Sequence, residues 1–228
     1  MSGCLPMLTG GFIGVVTGCL PIQLRFGFCP AGARYFCQGV NELMLGWDEL
    51  EKKCSECMLC GLGKTRTNIV IGRGSKTAPI MLVGEGPGEQ EDRQGKPFVG
   101  AAGQLLDLLL SALMFREDDY YICNIVKCRP PSNRVPADDE AESCLPWLRN
   151  QTALIKPQIM VCMGATAMKY IIDRNAKISH IRGQWINRKG FWIMPTFHPA
   201  ALLRDVSKKA LMFEDMKQVR LKLDELSR

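Results

Sequence analysis

Four short apolar runs alternate with helical segments along most of this chain: Ile80–Val83, Tyr120–Val126, Gln158–Met163 and Phe191–Met194. Runs of that length, bounded by Gly, Pro or polar residues, read as buried strands. Between them, Gly100–Leu113 (GAAGQLLDLLLSAL) has the apolar density of a packed helix. Pro136, followed by Asp138, Asp139 and Glu140, opens another helix with acids in its first turn, where the backbone dipole favours negative charge. Gly164 leads into a helix through Tyr170, and Leu202 begins helical character that runs, past a break near Asp205–Ser207, to the C-terminus. Parallel strands need long crossovers, usually helices, so this alternation implies a sheet covered on both faces. The expectation is a three-layer α/β/α fold around a central, mainly parallel four-stranded sheet.

The pattern starts near residue 44, where Met44 begins helical spacing with Leu45, Trp47, Leu50 and Met58. Residues 1–43 carry only Arg25, Arg34 and Glu42 as charges, and Leu5–Leu24 are uncharged. That length would permit a membrane span, but Pro6, Pro21 and four Gly interrupt it, and no basic segment precedes it as in a secretory signal. Residues 1–43 are therefore read as a non-conforming extension, disordered or spurious, ahead of one domain over 44–228. A signal or anchor segment and a functional arm are the alternatives. No stable membrane association is expected.

With 228 residues, 46% hydrophobic and 23% charged, the chain can bury a real core. This excludes wholesale disorder, collagen-like repeats and a multi-span membrane protein. A net charge of +6 favours a polyanionic partner through its field and through counterion release. Eleven Cys is an odd number, and disulfide scaffolds are usually much shorter chains. The thiols read as reduced, some of them bound to metal, which points to a cytoplasmic setting.

In open parallel sheets, ligands bind beyond the carboxyl ends of the strands. The first strand leads into Gly84-Glu85-Gly86-Pro87-Gly88-Glu89-Gln90-Glu91. A dinucleotide fingerprint would need Gly where Glu89 stands, and the acids would repel a pyrophosphate. The second strand ends at Asn124, whose amide offers donors and an acceptor suited to a base edge. The fourth leads into His198, held between Phe197 and Pro199. His180 and His198 are the only histidines, which excludes metal sites built on several His.

Cys54, Cys57 and Cys60 are spaced C-x₂-C-x₂-C, while Cys128 and Cys144 stand apart. One close set plus two distant singles does not fit a zinc finger, which wants two close pairs. Four thiolates from separate elements can hold an iron–sulfur cluster, and small core residues are the plain alternative.

Taken together, these segments resemble the family 4, iron–sulfur uracil-DNA glycosylases. The resemblance spans about residues 44–225 and rests on Cys57-Met-Leu-Cys60-Gly-Leu, GEGPGEQEDRQGKPFVGAAGQLL (Gly84–Leu106), NIVKCRPPSNR (Asn124–Arg134), the Cys144 helix and HPAALLR (His198–Arg204). It implies an enzyme of DNA repair that flips uracil from single- or double-stranded DNA and hydrolyses its N-glycosidic bond, acting as a monomer. It implies that Cys57, Cys60, Cys128 and Cys144 ligate a structural 4Fe–4S cluster, with Cys54 an extra thiol. It implies that Phe98 stacks on the flipped base, Asn124 reads its edge, His198 donates to uracil O2, and Glu85 and Gly86 line the pocket. Glu91 would crowd the 5-position against thymine. Leu202 reads either as a wedge into the gap in the DNA or as a core leucine at a helix start, and Arg129, Arg134 and Arg204 either as phosphate contacts or as charged surface.

The chemistry agrees. A base must leave the stack before its glycosidic bond can be reached. An Asn amide complements uracil O4 and N3–H, whereas cytosine would leave buried groups unpaired. Charge builds on the ring as the bond breaks, and a His donor stabilises it like an oxyanion hole. Gly86 stands where family 1 relatives carry an Asp that orients water, which leaves Glu85 for that task. The basic His-containing insertion of a crosslinking relative is absent, so ordinary turnover is expected. The rival reading is a catalytically inactive DNA-binding module with a structural metal site.

Overall fold

A computed structural model describes residues 44–188 and 190–227, so the expectation for residues 1–43 lies outside the described residues. One sheet contains β1 (Arg73–Gly74), β2 (Ile80–Gly84), β3 (Tyr120–Asn124), β4 (Ile159–Met163), β5 (Ile186–Arg188) and β6 (Phe191–Thr196), in the order β1-β3-β2-β4-β6-β5. The four inner strands are parallel, and they are the four apolar runs of the sequence. Ile80 lies level with both Tyr120 and Ile159, so the strand ends align.

The sheet has six strands rather than the expected four. The edge strands β1 and β5 run antiparallel to β3 and β6. They are two and three residues long and incompletely buried, so neither leaves an apolar run to read.

The helices are α1 (Trp47–Ser55), α2 (Glu89–Gln94), α3 (Ala101–Ala112), α4 (Asp138–Ile155), α5 (Gly164–Ile171), α6 (Ile178–Ile181), α7 (Pro199–Arg204) and α8 (Lys208–Leu226). Because side chains alternate along a strand, the sheet divides two cores. Met81, Val83, Tyr121, Cys123, Met160 and Cys162 face Leu145 and Leu148 of α4 and Ala167 and Ile171 of α5. Ile80, Leu82, Ile122 and Val161 face Leu106 and Leu110 of α3 and Met212, Met216 and Val219 of α8. Each such side chain contributes roughly 2 kcal/mol by leaving water. This is the three-layer arrangement expected. Helix α1 starts later than Met44 implied, and Met58 lies beyond it and is exposed. No helix among the described residues is long and apolar enough to cross a membrane.

Candidate active site

The aligned C-terminal ends of the parallel strands open into a cavity of about 570 Å³. Glu85, Gly86, Glu91, Phe98, Asn124 and His198 all line it. Arg134, Arg204 and Lys208 also contribute to the lining, alongside the carboxylates of Glu85 and Glu91. Arg134 is engaged with Glu140 through two 2.7 Å bonds, and Arg129 bonds Asn133 at 2.7 Å.

Phe98 is fixed by its backbone. It sits in the left-handed region at φ 54°, which a bulky residue adopts only when its surroundings impose it. Glu91 supplies the constraint. Its Oε1 accepts from the N–H groups of Val99 at 2.9 Å and Gly100 at 2.8 Å, and its Oε2 accepts from Gly88 at 3.1 Å. One carboxylate thus ties the turn after β2 to the loop that carries Phe98. The Phe98 ring lies 5.6 Å from the His198 ring, tilted by 32°. Gly84 makes room for this packing: a Cβ there would stand 2.4 Å from Asn124 Oδ1 and 2.7 Å from Phe98 Cζ.

Asn124 is 1% exposed, and its Oδ1 has no hydrogen-bond partner among the described residues. A buried acceptor left open in this way costs stability unless a ligand donates to it. His198 caps α7: its Nδ1 accepts from the Ala200 N–H at 3.2 Å. An accepting Nδ1 places the proton of a neutral ring on Nε2. Burial, aided by the charge of Arg204, holds the His198 pKa down to about 4, so the ring is neutral at pH 7. Glu85 accepts from the Thr166 hydroxyl in the first turn of α5. Sequence reading missed Thr166; the only available signal was a small hydroxyl residue just after the β4 end, across from Glu85.

Leu202 is not in the cavity. It is 1% exposed and packs in the α3–α8 core, whereas Leu203 beside it is 51% exposed. Successive helical residues point about 100° apart, so one of two adjacent leucines is buried and spacing alone does not say which.

On the other side of β3, Cys57, Cys60, Cys128 and Cys144 line a second, smaller cavity with Lys127 and Trp147. Cys54 is buried on α1 and is not part of that lining. The Lys127 N–H donates to Cys144 Sγ at 3.3 Å, and Arg66 Nη1 donates to Cys128 Sγ at 3.3 Å. Arg66 also donates to the carbonyls of Cys57 and Ser55, at 2.7 and 2.6 Å. Burial pushes the Cys144 thiol up to about 12, and the cysteines among the described residues form no disulfide. Arg66 and Trp147 were not foreseen, because nothing local marks them as neighbours of the cysteines.

A family description, uracil DNA glycosylase superfamily, matches residues 71–221. The chain belongs to this superfamily. It is 42% identical over 186 residues to the type-4 uracil-DNA glycosylase of Thermotoga maritima, covering 79% of this chain and 94% of that one. It is also 42% identical over 185 residues to the type-4 uracil-DNA glycosylase of Sulfurisphaera tokodaii, covering 76% and 84%. Against the type-5 uracil-DNA glycosylase of Pyrobaculum aerophilum the identity is 28% over 165 residues. Within the superfamily, its likeness is therefore to type 4.

Proposed function

We propose that residues 44–228 form a uracil-DNA glycosylase domain that works as a monomer in a cytoplasmic setting, with residues 1–43 an extension outside it. The enzyme takes uracil out of DNA, single- or double-stranded, and hydrolyses its N-glycosidic bond. The product is an abasic site. The observation that carries this reading is the open Oδ1 of Asn124 in one cavity with Phe98 and a neutral His198.

A flipped uracil stacks on Phe98, and its N3–H fills the open acceptor of Asn124 while the amide N–H donates to O4. Burial makes this selective, because cytosine presents the reverse pattern and would leave two groups unpaired. The Nε2–H of His198 donates to O2 as negative charge accumulates on the departing base. A neutral donor suffices, since the leaving group is stabilised by a hydrogen bond and needs no proton transfer. Glu85, steadied by Thr166, orients water with its remaining oxygen. Glu91 holds the Phe98 loop beside the 5-position. The cations at the cavity, Arg204 among them, attract the phosphate backbone.

We infer from the chemistry of the donor set that the four cavity cysteines would hold a 4Fe–4S cluster. Thiols from three chain segments surround one cavity, and two of them already accept N–H bonds. Trp147 lines the same cavity with a buried Nε1 that has no partner among the described residues, a donor suited to a sulfur acceptor. When bound, the cluster supplies a rigid cross-link between the Cys57–Cys60 loop, the β3 exit and α4. Nothing in the geometry favours an inactive DNA-binding module.

The test is excision from a labelled oligonucleotide carrying one uracil, read by alkaline cleavage. Strand scission is expected with the wild type and lost in His198→Ala; Asn124→Asp is expected to gain activity on cytosine. An iron-loaded, folded protein that leaves uracil in place overturns the reading.

A further inference from the structure

Lys127 is the bulkiest fully buried side chain among the described residues, at 1% exposure. Its Nζ donates to the Asn124 carbonyl at 2.7 Å. Its own N–H donates to Cys144 Sγ, and its carbonyl accepts from Val70 at 2.8 Å. An ammonium carries three donors, and no ion pair among the described residues includes this one. A buried charge in that state is costly unless something nearby carries the opposite sign. Lys127 lines one cavity with Cys57, Cys60, Cys128 and Cys144, and its backbone N–H already bonds one of these sulfurs.

We propose that Lys127 is the fixed counter-charge of the cysteine site and, through the Asn124 carbonyl, the positioning residue that sets the base-reading amide. The proposal rests on the reading that these cysteines hold a cluster. Four thiolates around an iron–sulfur core would leave a net negative charge, part of which the ammonium would offset. The same ammonium then holds the last residue of β3 at a defined height above the pocket floor, so the charge of one site bears on the geometry of the other.

The test compares wild type, Lys127→Met and Lys127→Gln in the iron-loaded protein. Gln removes the charge and keeps a donor for the Asn124 carbonyl; Met removes both. Iron content, the reduction potential of the cluster, and kcat and KM on a uracil oligonucleotide are measured. Both variants are expected to have a more negative potential, because removing a nearby positive charge disfavours the added electron. Lys127→Met is expected to lose at least tenfold in kcat, and Lys127→Gln less. Iron-loaded variants with the wild-type potential overturn the proposal. A wild type without iron overturns instead the cluster reading beneath it. Should neither variant fold, wild-type protein labelled with ¹⁵N-lysine decides: a slowly exchanging ammonium signal broadened by the cluster supports the proposal, and its absence overturns it.

Discussion

Gly103 lies so close beneath Phe98 that a Cβ on it would stand 1.9 Å from the Phe98 carbonyl oxygen. The first turn of α3 is thus the floor on which the strained Phe98 backbone rests. Gly103→Ala must lift the helix from the loop, because the obstacle is backbone and cannot rotate away. Thermal unfolding should show a loss of about 1–3 kcal/mol, the range for overpacked cores. Uracil excision should fall with it, since Phe98 loses its place beside His198.

Glu91→Gln tests the clamp from the other side. An amide cannot accept from Val99, Gly100 and Gly88 together, because its nitrogen faces one of those N–H groups. One buried donor left open costs about 1–3 kcal/mol. The unfolding free energy from denaturant titration should drop by that amount, seen as a lower midpoint at unchanged slope. A loosened Phe98 loop should also raise KM and narrow the preference for uracil over thymine.

His198 gives stability a dependence on acid. The folded chain keeps the ring neutral down to about pH 4, whereas an ordinary histidine protonates near 6.5. Between those values the unfolded state binds the extra proton, so stability falls as pH drops through that window. Urea midpoints at several pH values should show this slope, and His198→Gln should flatten it. Excision by the folded enzyme should be nearly flat from pH 8 down through that window and decline only near pH 4, where the ring in the cavity takes up a proton.

Thr166→Val removes the hydroxyl that Glu85 accepts while keeping the shape of the side chain. A freed Glu85 orients water poorly. Steady-state assays should show kcat reduced about tenfold with KM little changed, an effect of about 1.4 kcal/mol confined to the transition state. An unchanged kcat would remove Glu85 from the hydrolytic step.

The layered fold was legible because its four inner strands are continuous apolar runs, a pattern set by burial on both faces. Edge strands of two or three residues carry no such pattern. Helix α2 (EQEDRQ) was hidden too, since all its residues are polar and its role is to present Glu91. For the site, motif order singled out Glu85, Glu91, Phe98, Asn124 and His198, and the fold gathers them in one cavity. Long-range partners were beyond reach. Thr166 meets Glu85 across 81 residues and Arg66 meets Cys128 across 62, distances that only tertiary packing can close. Nothing local marks Lys127 as buried, because lysine is so seldom found inside.

Between Asn124 at the end of β3 and Cys128 stand only Ile125, Val126 and Lys127, all of them buried. Val126 is held by the Glu85 carbonyl and Lys127 by Val70, so this stretch is anchored on both sides. Surface turns elsewhere can gain or lose residues as genes drift. Here an insertion of even one residue would shift the thiol, the ammonium or the amide out of phase with the others. The segment therefore behaves as a ruler of fixed length, and loop grafts aimed at widening substrate range should leave it alone and vary the Arg129–Val135 turn beyond it.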